Sequence, residues 1–260
     1  MSLLGKIAIV TGAGSGIGAA ISLLFASEGA SVALVDLNET SLDYVAQQCV
    51  VHGKPPLSIK ADVANEVEAK TIISKTIKYF GKLDILVNNA GIFKEALVTD
   101  PDLLQIFDSV MNTNLRSVVL LTNLAAPHLK ATKGNIVNMC SVSSHWVGVK
   151  VASFCVSQAG VEHFTRCAAL ELAAFGVRVN SVHPALVRTK MLANALKAID
   201  DKDKAWDEAK RSTALERLNE PAEIADVVLF LASHKARGIT GSAFVCDSGF
   251  LLDGKLDEFR

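Results

Sequence analysis

A chain of 260 residues, half of them hydrophobic and a fifth charged, can build one large domain or two small ones, and its composition is neither disordered nor fibrous. Its 26 Lys and Arg against 27 Asp and Glu leave a net charge of -1, so bulk charge draws it neither to nucleic acid nor to an anionic membrane. The longest apolar runs, residues 118–121 and 227–232, fall far short of the roughly 18 to 20 residues that a membrane-spanning helix needs.

In chain order, short apolar and β-branched runs at 7–10, 31–35, 57–59, 83–87, 135–138, 177–180 and 243–245 alternate with stretches whose apolar residues recur at helical spacing. Near-continuous apolar strands separated by helices predict a parallel sheet covered on both faces. The expected fold is therefore a doubly wound α/β fold of about seven strands, with its ligand crevice beyond their carboxyl ends. No linker, charge block or repeat divides the chain, so residues 1–260 are expected to form a single domain. Residues 186–213 are the least regular part. They carry a helix-like segment at 191–198 and Trp206, and read equally as a flap over the crevice or as a solvated surface helix.

Five cysteines, Cys49, Cys140, Cys155, Cys167 and Cys246, form no C-x-x-C pair, and a chain of this size buries a core without disulfide staples. Reduced thiols are expected. The amino-terminal residues show no basic stretch before an apolar run and no A-x-A site, and the last four residues match no peroxisomal or prenylation signal. Cytoplasm is the expected location. The histidines at 52, 128, 163, 183 and 234 lack metal-ligand spacing, so no metal is expected.

The first strand runs into Thr11-Gly12-Ala13-Gly14-Ser15-Gly16-Ile17-Gly18 and then a helix. Glycines at such a turn admit positive φ and let a pyrophosphate approach the backbone, while the helix start offers free N–H groups. The absence of Gly-Lys-Ser/Thr excludes a Walker-type loop, and the strict G-x-G-x-x-G spacing fails at Ile17. What remains is G-x-x-x-G-x-G at Gly12, Gly16 and Gly18. The second strand ends in Asp36, where a carboxylate can accept hydrogen bonds from ribose hydroxyls and repel a 2′-phosphate. Neither Leu37 nor Ser15 offers a cation to offset that repulsion, so NAD(H) is expected in preference to NADP(H). Asp36 could instead cap the following helix, a task open to Asn38 as well.

With Asp62-Val63, Asn88-Asn89-Ala90-Gly91, Asn114, residues 134–138, Ser141, Asp247 and Gly249 added in order, the chain resembles the short-chain dehydrogenase/reductase family along nearly its whole length. The resemblance implies an NAD(P)-binding Rossmann-type subunit, a homotetramer or dimer, acting on a small carbonyl or alcohol. It implies a dinucleotide held by Gly12, Ser15, Gly16, Ile17, Gly18, Asp36, Leu37, Asp62, Val63, Asn89, Ala90, Gly91, Gln158, Pro184 and Val187. It also calls for a Ser that bonds the substrate oxygen, a Tyr that gives it a proton, a Lys four residues after the Tyr, and an Asn on an earlier helix.

Ser141 and Asn114 meet two of these requirements, but Phe154 and Gln158 occupy the Tyr and Lys positions. The only tyrosines, Tyr44 and Tyr79, fall in helices flanking strands two to four and cannot stand in. Phe keeps the ring and loses a proton donor worth ~10²–10⁴-fold in rate. Gln can still bond a ribose hydroxyl but cannot lower a phenol's pKa. His183-Pro184-Ala185 further departs from the family's Asn-Pro-Gly, while His145, four residues after Ser141, is a candidate replacement acid. Three readings follow. They are a dinucleotide-binding pseudoenzyme, which is favoured, an oxidoreductase with an atypical proton relay, and a laboratory-inactivated variant of an ordinary enzyme.

Overall fold

The computed structural model describes residues 1–51, 55–196 and 201–252; His52, residues 197–200 of the proposed flap and the last four residues lie outside them. Seven strands, β1 (Ile7–Thr11), β2 (Ser31–Asp36), β3 (Leu57–Lys60), β4 (Ile85–Asn88), β5 (Asn135–Met139), β6 (Arg178–Pro184) and β7 (Ala243–Cys246), form one sheet. Every pairing is parallel, in the order β3-β2-β1-β4-β5-β6-β7. This is the doubly wound Rossmann-type arrangement expected. It differs at strand ends: β4 begins at Ile85 rather than 83, and β6 runs on through His183 and Pro184.

The strands read as unbroken apolar runs because both faces are covered. On one face Ala8 and Val10 pack with Ile21 and Phe25 of α1 (Gly16–Ser27), Leu42 and Val45 of α2 (Glu39–Val50), and Val228 and Leu231 of the late helix Pro221–Ala232. On the other, Ile9, Ala33 and Val35 meet Ile72 of α3 (Glu66–Phe80) and helices running over residues 117–132 and 152–173. Adjacent residues of β1 thus feed opposite cores, as a period of two demands.

Chain order reverses between β1 and β4, which opens a crevice at the carboxyl ends of those strands. Two helices border it. The first is α4 (Leu103–Met111), a π turn over Asn112–Arg116, and α5 (Ser117–Thr132) in unbroken succession; the second is α6 (Ala152–Ala173). After β6 come α7 (Lys190–Ala195), α8 (Lys202–Arg211) and α9 (Pro221–Ala232). Among the described residues no helix is long and apolar enough to cross a membrane.

Candidate functional site

A cleft of about 860 Å³ occupies the crevice. At its β1 end the chain turns through Gly12, whose φ of +64° disfavours any side chain. Gly18 is required for a different reason: a Cβ there would be driven into the Gly12 carbonyl and would lie 2.5 Å from Asn89 Nδ2. That amide in turn donates to Thr11 O at 2.8 Å, while Thr11 Oγ1 accepts from the backbone of Asn89 and Ala90. The β1 and β4 ends are thereby locked together. Ser15 precedes α1 without capping it, so the first backbone N–H groups of the helix have no intrahelical acceptor and face the cleft with Ser15, Gly16 and Ile17. Such a start, bare of side chains, suits a phosphate.

Asn38 caps α2, its Oδ1 accepting from Ser41 N at 2.9 Å, which leaves Asp36 available for another task. Backbone N–H groups of Gly14 and Asn38, each at 2.9 Å, orient the two carboxylate oxygens of Asp36 at the cleft wall. Leu37, Asp62 and Val63 line the same end.

At the other end Ser141 follows β5, its Oγ 3.2 Å from Ser143 Oγ and 3.4 Å from Pro184 O. Asn114 sits in the π turn, an irregularity that recurs where helices serve functional sites. Its side chain accepts from Ile92 N at 2.8 Å, donates to Ile92 O at 2.9 Å and reaches Ser157 Oγ at 3.3 Å. Gln158 Nε2 approaches the same hydroxyl at 3.4 Å, and Ser157 Oγ donates to Phe154 O at 2.7 Å. Phe154 and Gln158, four apart on α6, both line the cleft with Asn114 and Ser141.

The chain is also matched, over residues 12–251, by a family profile described as enoyl-(acyl carrier protein) reductase. It is 35% identical over 257 residues to a 3-oxoacyl-acyl-carrier-protein reductase of Thermotoga maritima, covering 97% of this chain and 100% of that protein. It is 33% identical to a cyclohexanol dehydrogenase of an Acinetobacter strain, covering 94% of each. A solved Caenorhabditis elegans short-chain dehydrogenase/reductase of unknown function, crystallised with cofactor, superimposes with a TM-score of 0.91 at 32% identity over 99% of both chains. The chain belongs to the short-chain dehydrogenase/reductase family. It is thus a member of an oxidoreductase family whose subunits bind a nicotinamide dinucleotide.

Of the residues expected to hold the dinucleotide or to serve the chemistry, the structure gathers all but Gly18 and His145 along the cleft, whereas Asn88, residues 134–138, Asp247 and Gly249 of the family pattern do not line it. Gly18 lies behind the turn, and His145 is absent from the lining, its Nε2 3.3 Å from Glu162 Oε2. Behind Ser141 a buried histidine, His183, sits between Ser181 Oγ at 2.7 Å and Ser144 Oγ at 3.1 Å. Ser144 spends its proton on Ser141 O at 2.9 Å, so it accepts from Nδ1–H of a neutral His183 ring, whose Nε2 accepts from Ser181. Burial pushes the His183 pKa down, with nearby Glu162 opposing and His145 adding to the shift. Burial likewise pushes the neighbouring Cys140 thiol up to about 12, which leaves it an inert packing group. Tyr44 and Tyr79 are exposed on α2 and α3, outside the lining. Sequence reasoning missed Phe93, Trp146, Phe250 and Thr189, which also line the cleft. Their signal was positional only: each follows the carboxyl end of a strand.

Proposed function

We propose that this short-chain dehydrogenase/reductase homologue binds NAD(H) in preference to NADP(H) and acts through dinucleotide or ligand binding, its turnover abolished or strongly impaired. One observation carries the reading. Beside Ser141 the cleft presents a phenyl ring at Phe154 and a neutral, buried amide at Gln158, the positions that the family pattern gives to Tyr and Lys. Among the described lining residues there is no tyrosine or histidine, and the one cation is Lys190. Lys190 opens α7, a different element from the α6 position that the family pattern gives to Lys, and the Thr189 before it lies close to Gly16.

The dinucleotide fits the chain's own groups. Gly12, Gly16 and the bare start of α1 receive the pyrophosphate, Asp36 the adenosine ribose, and Asp62 with Val63 the adenine. Asn89, Ala90, Gly91, Gln158, Pro184 and Val187 bound the nicotinamide half. A bound nicotinamide supplies or accepts a hydride, and the protein has to move the accompanying proton. Ser141 can polarise a carbonyl, but its hydroxyl meets Ser143 Oγ and Pro184 O, while both ring nitrogens of the His183 behind it are engaged by Ser144 and Ser181. His145, held by Glu162 away from the lining, is poorly placed to replace the missing acid, which argues against an atypical relay. We read the chain as one dinucleotide-binding domain, with the described part of the expected flap from Leu186 to Leu196 on its ligand side.

Calorimetric titration tests the binding half. NADH is expected to bind more tightly than NADPH, and Asp36→Ala to weaken NADH and narrow that gap. No heat with either nucleotide, or a preference for NADPH, contradicts the reading.

A further inference from the structure

The end of the cleft beyond Ser141 carries two aromatic pairs that dinucleotide binding does not use. Phe93, in the loop after β4, meets Phe154 edge to face with ring centroids 5.3 Å apart. Trp146, past the Ser141 turn, meets Phe250, beyond β7, in the same geometry at 5.5 Å. All four rings line the cleft, as do Met191 and Leu192 of α7. Trp146 and Met191 remain 41% and 42% exposed, apolar surface that an occupant removes from water.

Charge narrows the choice of occupant. Lys94 donates to Ser109 Oγ at 2.9 Å and Arg188 is paired with Glu220 at 2.7 Å, and neither lines the cleft; the one cation among the described lining residues is Lys190 at the start of α7. Asp36 and Asp62 belong to the adenosine end, so among the described lining residues the acid left for this end is Glu95. Four rings with the Glu95 carboxylate on the same cleft penalise a negatively charged ligand twice, by desolvation and by repulsion.

We infer that this chamber takes an uncharged, ring-bearing ketone or alcohol, its ring against the two aromatic pairs and its oxygen toward Ser141, and discriminates against carboxylated counterparts. The inference rests on the dinucleotide reading above and names the ligand class of the same cleft. Edge-to-face geometry rewards a ring beyond the area it buries.

The test uses the full chain saturated with NADH and a matched pair of probes, acetophenone and 4-acetylbenzoate, each titrated by calorimetry. Acetophenone is expected to bind at least tenfold more tightly than the carboxylated probe. Trp146→Ala is expected to weaken acetophenone three- to tenfold while NADH affinity stays unchanged. Glu95→Gln is expected to improve 4-acetylbenzoate alone. Equal or tighter binding of 4-acetylbenzoate, no binding of acetophenone, or an unchanged acetophenone affinity in Trp146→Ala overturns the inference. Failure of NADH itself to bind in the first step is the separate result that overturns the dinucleotide reading.

Discussion

A phenyl and a phenol differ by one oxygen, and on the function proposed above its absence at position 154 separates a cleft that holds reactants from one that passes a proton between them. Gln158 compounds the loss, because its amide sits in a neutral network with Ser157 and Asn114 where an ammonium would lower the pKa of a neighbouring phenol. His183 makes a contrasting use of a titratable group, as a neutral strut behind Ser141. Its native pKa lies below that of the unfolded chain, so as pH falls through about 6.5 the unfolded state takes up a proton that the native state refuses. Stability is therefore expected to drop with acidification down to the native His183 pKa. Urea midpoints measured between about pH 7.5 and about pH 5.5 should show that drop, and His183→Asn should flatten it. An equal slope in both proteins would assign the loss to other groups.

At the scale of elements, the glycine turn is the most tightly specified joint. Gly18→Ala forces the first turn of α1 away from the Gly12 carbonyl and from Asn89, which ties β1 to β4. The expected result is a protein destabilised by roughly 1–3 kcal/mol in urea unfolding, with weakened NADH binding, as for overpacking of a closed site. An unchanged midpoint would show that the turn relaxes freely. The strands and this turn were legible in the sequence because apolar runs and strand-following glycines are local signals. The π turn at Asn112–Arg116 was not, since helical periodicity carries no mark of a single i→i+5 step. Nor were the serine partners of His183, Ser144 across 39 residues and Ser181 on its own strand, or the aromatic chamber assembled from loops after β4, β5 and β7. His145 shows the limit of proximity in sequence: four residues from Ser141, it turns to Glu162.

For the whole molecule, apolar surface left on the helical layer is the outstanding quantity. Val119 of α5, Val156 and Leu170 of α6 and Phe175 just beyond are exposed, Leu170 by 82%. Such side chains on neighbouring helices suit an isologous contact between copies of the chain. Light scattering at micromolar concentration should give a dimer or tetramer, and Val156→Glu with Leu170→Glu should reduce it to monomers; a monomeric native chain would contradict this assignment. The central claim, that the chain binds a dinucleotide but does not turn it over, is tested most directly by one rate comparison. NADH consumption with a panel of uncharged ketones is measured for the native chain, Phe154→Tyr, and Phe154→Tyr/Gln158→Lys. The native chain is expected to show no detectable rate, or one lower than the double variant by at least ~10²-fold, with Phe154→Tyr alone rescuing little at neutral pH. Robust turnover by the native chain would contradict the account.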